Sequence, residues 1–152
     1  MVCLACVFAA GCESLSRVRL GRRFDPWGNM VEGLQCRLQA DKRTWTTAER
    51  PSFKLDIRNG GKRTYVFWPA HKEQLCRVEF DGRWYQQPGP VAIDSQVWSL
   101  SPGAQYNGLE ITLRDGYGIA IKRGKHIVRV GLSLEGVQVV SNPAGIEIVK
   151  DK

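Results

Sequence analysis

Hydrophobic and polar residues alternate with a period of two along much of the chain from Gly33 onward. Leu34, Cys36 and Leu38 alternate with Gln35, Arg37 and Gln39, and Phe53, Leu55 and Ile57 with Lys54, Asp56 and Arg58. Leu109, Ile111 and Leu113 alternate with Glu110, Thr112 and Arg114. His126, Val128, Val130 and Leu132 do so with Ile127, Arg129 and Gly131, and Ile146 and Ile148 flank Glu147. Successive side chains on a strand point to opposite faces, so this beat predicts half-buried strands with the apolar set turned inward. Residues 64–68 (Thr-Tyr-Val-Phe-Trp) are β-branched and aromatic and stop at Pro69; a single turn of helix fits at 70–74. Asp81-Gly82 is a hairpin signal between 75–80 and 83–86, and a short strand at 97–100 runs into Ser101-Pro102-Gly103. Asn59-Gly60-Gly61 and Arg123-Gly124-Lys125 read as turns. The result is about eight short strands, spaced by roughly 10–15 residues, with no amphipathic helix of helical length. The fold class expected is all-β: one antiparallel β-sandwich of about 7–8 strands, with a closed barrel as the alternative.

Composition adds little to that picture. The chain has 152 residues, 43% hydrophobic and 24% charged, enough for one domain with its own core. The net charge of +7 matters through its placement. Arg17, Arg19, Arg22 and Arg23 crowd the segment before the first strand. Such a cluster is a solvated linker, a patch for anionic lipid head groups at about 1 kcal/mol per basic residue, or a nucleic-acid arm. Basic residues interleaved with aromatics along a platform are not visible, so nucleic acid is the least supported partner.

An apolar run, Val2 to Ala10, leads into Ala9-Ala10-Gly11-Cys12. Small residues before a cysteine at the end of such a run resemble the lipobox of bacterial lipoproteins. The resemblance implies a signal peptide at 1–11, lipidation of Cys12, and a location in the cell envelope, outside the cytoplasm and anchored to the membrane. Residues 12–32 would then be the lipidated cysteine and a basic linker, and 33–150 the folded domain. One acyl chain binds a membrane only marginally; the modification implied by the resemblance carries three. Of five cysteines, Cys3 and Cys6 would leave with the signal and Cys12 would be modified. Cys36 and Cys76 remain, both on inward positions. They are a candidate disulfide in an oxidising compartment or two buried thiols.

Residues 39–61, Leu100-Ser-Pro-Gly103, 121–130 and Ser141-Asn142-Pro143 before a last alternating strand together resemble bacterial immunoglobulin-like domains. The resemblance covers about 33–149 and implies an immunoglobulin-like sandwich; it carries no activity with it. Part of the pattern is shared with bacterial proteinase inhibitors, which would place an inhibitory loop at 87–94.

No chemistry announces itself. The two histidines, His71 and His126, lack a nucleophile signature; neither Gly-x-Ser-x-Gly nor His-Glu-x-x-His occurs. Asp81, Asp94 and Asp115 are too scattered for a calcium loop. No catalytic residue, metal or cofactor is expected. Five tryptophans stand out. Trp98 shares parity with Leu100 and is expected inside, Trp68 between the sheets, and Trp45 at one end of the sandwich. Trp84 depends on its turn: a two-residue Asp81-Gly82 loop puts it on the outer face beside Glu79, and a three-residue loop puts it inside opposite Val78. Burial of a large ring favours the second. Trp27, Trp45 and Trp84 are the candidate ligand-contacting aromatics. The function expected is a non-catalytic, envelope-anchored module for protein interaction or structural support. The alternatives are a carbohydrate-binding module and a proteinase inhibitor.

Overall fold

The computed structural model describes residues 26–86, 89, 96–113 and 117–151. Cys12, the segments 1–11 and 12–25, Asp94, Asp115 and the loop 87–94 apart from Gly89 lie outside the described residues.

Period-two alternation becomes two facing layers. The first sheet holds β1 (Leu34–Ala40), β3 (Ser52–Asn59) and β8 (Gln105–Thr112) in the order β1-β3-β8. The second is built on the long β9 (Gly124–Leu134), with β5 (Cys76–Phe80) and then β6 (Arg83–Tyr85) on one side. On its other side β9 pairs first with β11 (Ala144–Val149) and then with β10 (Val137–Val140). β2 (Thr44–Thr46) adds to β11 in parallel, and β4 (Tyr65–Phe67) and β7 (Trp98–Leu100) form a separate ribbon. A 3-10 turn at Pro69–His71 and one helical turn, α1 (Lys72–Leu75), occupy the segment where a turn of helix fits the sequence. The chain is an immunoglobulin-like, mainly antiparallel β-sandwich. Eleven strands are described, more than the sequence suggests, because β2, β4, β6 and β7 are only three residues long.

The inward sets are those the alternation marks. Leu34, Leu38, Phe53, Leu55, Ile57, Val78, Val128, Val130, Ile146 and Ile148 are all buried between the layers. Each such side chain contributes roughly 1.5–3 kcal/mol when fully withdrawn from water. The polar exceptions are provided for. Asp56 sits opposite a bulge between β3 and β8 and accepts bonds from Arg37 Nη2 (2.7 Å), Gln39 Nε2 (2.8 Å) and Gly108 N (3.0 Å). Asn59 donates to Arg63 O (2.6 Å) and Leu100 O (2.9 Å), tying the ribbon to β3.

The outer edge of β1 is closed by three different partners. Val31 and Leu34 exchange both backbone bonds at 2.9 Å across Glu32-Gly33, where both residues have positive φ. Gly28 N donates to Cys36 O at 2.9 Å. The Asn142 side chain accepts from Leu38 N (2.8 Å) and donates back to Leu38 O (3.2 Å), as a neighbouring strand would. Asn142 lies in the step between β10 and β11, so its amide fastens the first sheet to the second. Residues 26–32, expected to be linker, are therefore part of the folded unit.

Three tryptophans differ from expectation. Tyr65 and Phe67 are the inward pair of β4, so Trp68 takes the opposite parity and is 41% exposed, stacked on His71. Trp98 keeps the parity of Leu100 but stands at the rim, 40% exposed, edge-on to Tyr106. Trp84 is on the outer face. Asp81 and Gly82 both have positive φ (49° and 82°), the geometry of a two-residue primed turn whose twist matches the strands. That turn pairs Phe80 with Arg83 and Glu79 with Trp84. Asp81 holds the turn from outside: its carboxylate bonds to Ile127 N (2.9 Å) and His126 Nδ1 (2.7 Å).

Asn142→Ala removes the amide and leaves a buried N–H and C=O on Leu38 without partners. It is expected to lower unfolding stability by about 2–4 kcal/mol, measured by urea denaturation. Asn142→Asp keeps the shape but cannot donate to Leu38 O, and is expected not to restore stability.

Candidate functional site

The outer face of the second sheet carries the most organised set of exposed side chains. The register aligns Trp84 on β6 with Glu79 on β5 and Arg129 on β9 in one row. Gln138 on β10 faces outward beyond them. A groove of about 660 Å³ runs over this face, lined among others by Trp84, Glu79, Arg129, Gln138, Asn29 and Trp27. A smaller hollow of about 230 Å³ adjoins it and shares Gln138.

Each tryptophan is positioned by a glycine. Gly131 pairs with Arg77 and has no side chain to fill the outer face. A Cβ there would lie 3.1 Å from Trp84 Cζ3 and 3.0 Å from Arg77 Nε. The Arg77 guanidinium stacks 4.3 Å from the Trp84 ring centre, and the indole remains 37% exposed. At the other side of the face, a Cβ on Gly28 would lie 2.1 Å from Val140 O. Only glycine lets the arm pass between β1 and β10. Gln35 Nε2 donates to Gly28 O (2.9 Å) and fixes it there. Trp27, next in the chain, is half-buried, with the guanidinium of Arg37 4.6 Å and that of Arg58 4.3 Å from its ring centre. A cation over an indole contributes about 0.5–2 kcal/mol and holds the ring in one orientation.

Two of the three candidate aromatics thus meet in one groove. The third does not. Trp45 is 6% exposed; its Nε1 donates to Lys42 O (2.9 Å) and the Lys42 ammonium covers the ring. It is a core residue with no face for a ligand.

One ion pair lies in the groove, and the guanidiniums of Arg77, Arg37 and Arg58 flank it behind the two indoles. Glu79 and Arg129 are the charged residues among its described lining and lie 3.6 Å apart. Glu79 is the single carboxylate in that lining, and no serine, cysteine or histidine is paired with a base there. Among the described residues no group of three metal-ligating side chains converges anywhere. The arrangement can hold an amphiphilic ligand: the exposed part of the Trp84 indole for its apolar face, and a carboxylate, a guanidinium and two amides for its polar edges.

Cys36 and Cys76 are buried in the core and carry free thiols. Burial pushes the Cys36 thiol up to about 12, and burial, with the neighbouring Cys36 as the second cause, raises Cys76 as well. Thiolate is the reactive form. At pH 8 in the folded state, iodoacetamide is expected to label neither cysteine, and in urea without reductant to label both; peptide mapping separates them from Cys3, Cys6 and Cys12. Labelling in urea only after reduction would show a bridge instead.

Glu79, Arg129, Gln138 and Asn29 were not singled out from the sequence. Gly131 was the available signal, since glycine inside a strand marks a close approach.

No family model matches the sequence, and no curated protein matches it. Solved structures share the fold. The chain is similar to Spo0M, a sporulation control protein of Bacillus subtilis, with 12% identity and a TM-score of 0.50, covering 80% of this chain and 51% of that one. It is also similar to the CARDB domain of the PF1109 protein of Pyrococcus furiosus, solved with di-metal ions (10% identity, TM-score 0.48, 81% and 100% covered). A third similarity is to a β-glucosidase of Erythrobacter marinus (15% identity, TM-score 0.43), of which the chain spans 15%. The chain spans about half of Spo0M and a small part of the glucosidase. At these identities the similarities speak to fold alone.

Proposed function

We propose that this protein is a non-catalytic binding module of the bacterial cell envelope, tethered through Cys12 and engaging its partner along the Trp27–Trp84 groove. The observation that carries the reading is the groove itself. An exposed indole (Trp84) and a set of hydrogen-bonding side chains stand on a laddered sheet beside the half-buried Trp27, without an acid–base pair or an activated nucleophile among the described lining residues. Such a surface is ordered before the partner arrives, which lowers the entropic cost of association.

The tether is supported by Ala9-Ala10-Gly11-Cys12 at the end of an apolar run, and by Arg17, Arg19, Arg22 and Arg23 just after it. A lipid on Cys12 would bring those arginines against anionic head groups, adding about 1 kcal/mol each near the surface. Gly28 is already bonded to Cys36 of β1, so a lipid on Cys12 would be only 16 positions along the chain from the folded domain.

Metabolic labelling with a fatty acid in a bacterial host, followed by intact mass, tests the anchor. The full chain is expected to carry label and to sediment with membranes. Cys12→Ala is expected to be unlabelled and soluble. Equal labelling of both chains would remove the anchor from the account.

A further inference from the structure

We infer that the hollow beside the groove receives one oxyanion, a carboxylate or phosphate carried by a larger molecule lying in the groove; this rests on the binding-module reading and names the group it recognises. The hollow, about 230 Å³, is floored by the bare backbone of Gly131 on β9. Around it stand Arg77 on β5, Ser133 on β9, Gln138 on β10, Gln74 on α1 and Gln86 just after β6. Five polar side chains from five segments thus converge on one space. None of the five side chains has a hydrogen bond or ion pair with a described residue. Their donors are turned to solvent and await a ligand.

Charge sets the class. Arg77 is the one charged residue in the hollow's described lining, and no carboxylate is among them. Glu79, two positions along β5, lies 3.6 Å from Arg129 in the neighbouring row. Arg77 is left without a counter-charge. The Trp84 ring, 4.3 Å from the guanidinium, holds it in place but offers no hydrogen-bond acceptor, since indole nitrogen only donates. A cationic or uncharged group closing the hollow would desolvate that guanidinium without compensation, which is costly. A guanidinium is a planar fork of N–H donors, matched to the paired oxygens of a carboxylate or phosphate. The three glutamine amides and the Ser133 hydroxyl supply donors for the remaining lone pairs.

Size sets how much of the ligand enters. Ligand clefts usually measure about 300–1,000 Å³, so a hollow of about 230 Å³ takes one group of a larger molecule. Gln138 is shared with the groove, so the rest of that molecule continues past Trp84. A nucleic-acid backbone is not the match: it needs a run of unopposed cations, and the hollow has one.

The test uses the full chain carrying Cys12→Ala, titrated separately with inorganic phosphate and with acetate at constant ionic strength and followed by nuclear magnetic resonance. Saturable shifts are expected at Arg77 Nε–H and at the Gln86 and Gln138 side-chain amides, and sodium chloride should not reproduce them. Saturation by phosphate alone assigns a phosphorylated group, and by acetate alone a carboxylate. Arg77→Gln should weaken binding at least tenfold, and Arg77→Lys, which keeps the charge and loses the fork, several-fold, with urea midpoints close to that of the parent chain. Arg83→Gln removes the same charge from β6 outside the hollow and should bind as the parent does. Absence of saturation by either anion, equal shifts with chloride, or unchanged affinity in Arg77→Gln would overturn the inference. If neither anion binds, a photo-crosslinker at Asn29 that still captures an envelope component would overturn the oxyanion site and leave the binding-module reading standing. Capture of nothing would then end both.

Discussion

The seam between the two sheets depends on one side chain that behaves like backbone. Asn142 offers Leu38 an acceptor and a donor at ladder distances and so completes the edge of β1 from the opposite sheet. An unpaired strand edge is a liability for aggregation and for stability. Here three unlike partners close it: Val31 at Leu34, Gly28 at Cys36 and Asn142 at Leu38. The same seam brings Gly28 against Val140 and thereby sets Trp27 at the end of the groove, its ring against Arg37 and Arg58 of the first sheet. Stability and the candidate site are thus consequences of one arrangement.

The other end of the groove is set by a turn. Asp81-Gly82 determines that Trp84 faces out, and the turn is anchored by Asp81 to β9. Burial works against the Asp81 carboxylate, yet bonds from His126 and Ile127 hold it below its usual range. Glu135 plays the same part at the turn between β9 and β10, where its carboxylate binds Arg63 and the amide of Val66, and it too is lowered. Acidic residues next to turn glycines therefore tie hairpin ends to neighbouring strands.

The layers were legible because burial follows parity: Leu34, Cys36, Leu38, Phe53, Leu55 and Ile57 occupy the core as their alternation requires. Parity alone could not place the tryptophans. For Trp84 the preference for burying a large ring lost to turn geometry, with Arg77 and the bare backbone of Gly131 accommodating the indole outside. For Trp68 the inward places on β4 were already taken by Tyr65 and Phe67. Trp27 fell in a stretch without periodicity, where nothing local announces that Gly28 will pair with Cys36. The groove itself joins residues from β5, β6, β9 and β10 and the arm before β1, and such convergence is a property of topology. Asn142 was readable only as turn chemistry; its role needs a partner 104 positions away.

Hydrogen exchange at Leu38 tests the seam most directly. If the Asn142 amide closes the edge of β1, the Leu38 N–H exchanges only with global unfolding, at the same free energy as the Val130 N–H in the middle of β9. Exchange of Leu38 at the rate of an exposed loop amide, while Val130 stays protected, would show that the edge is open and that the two sheets are held together by other means.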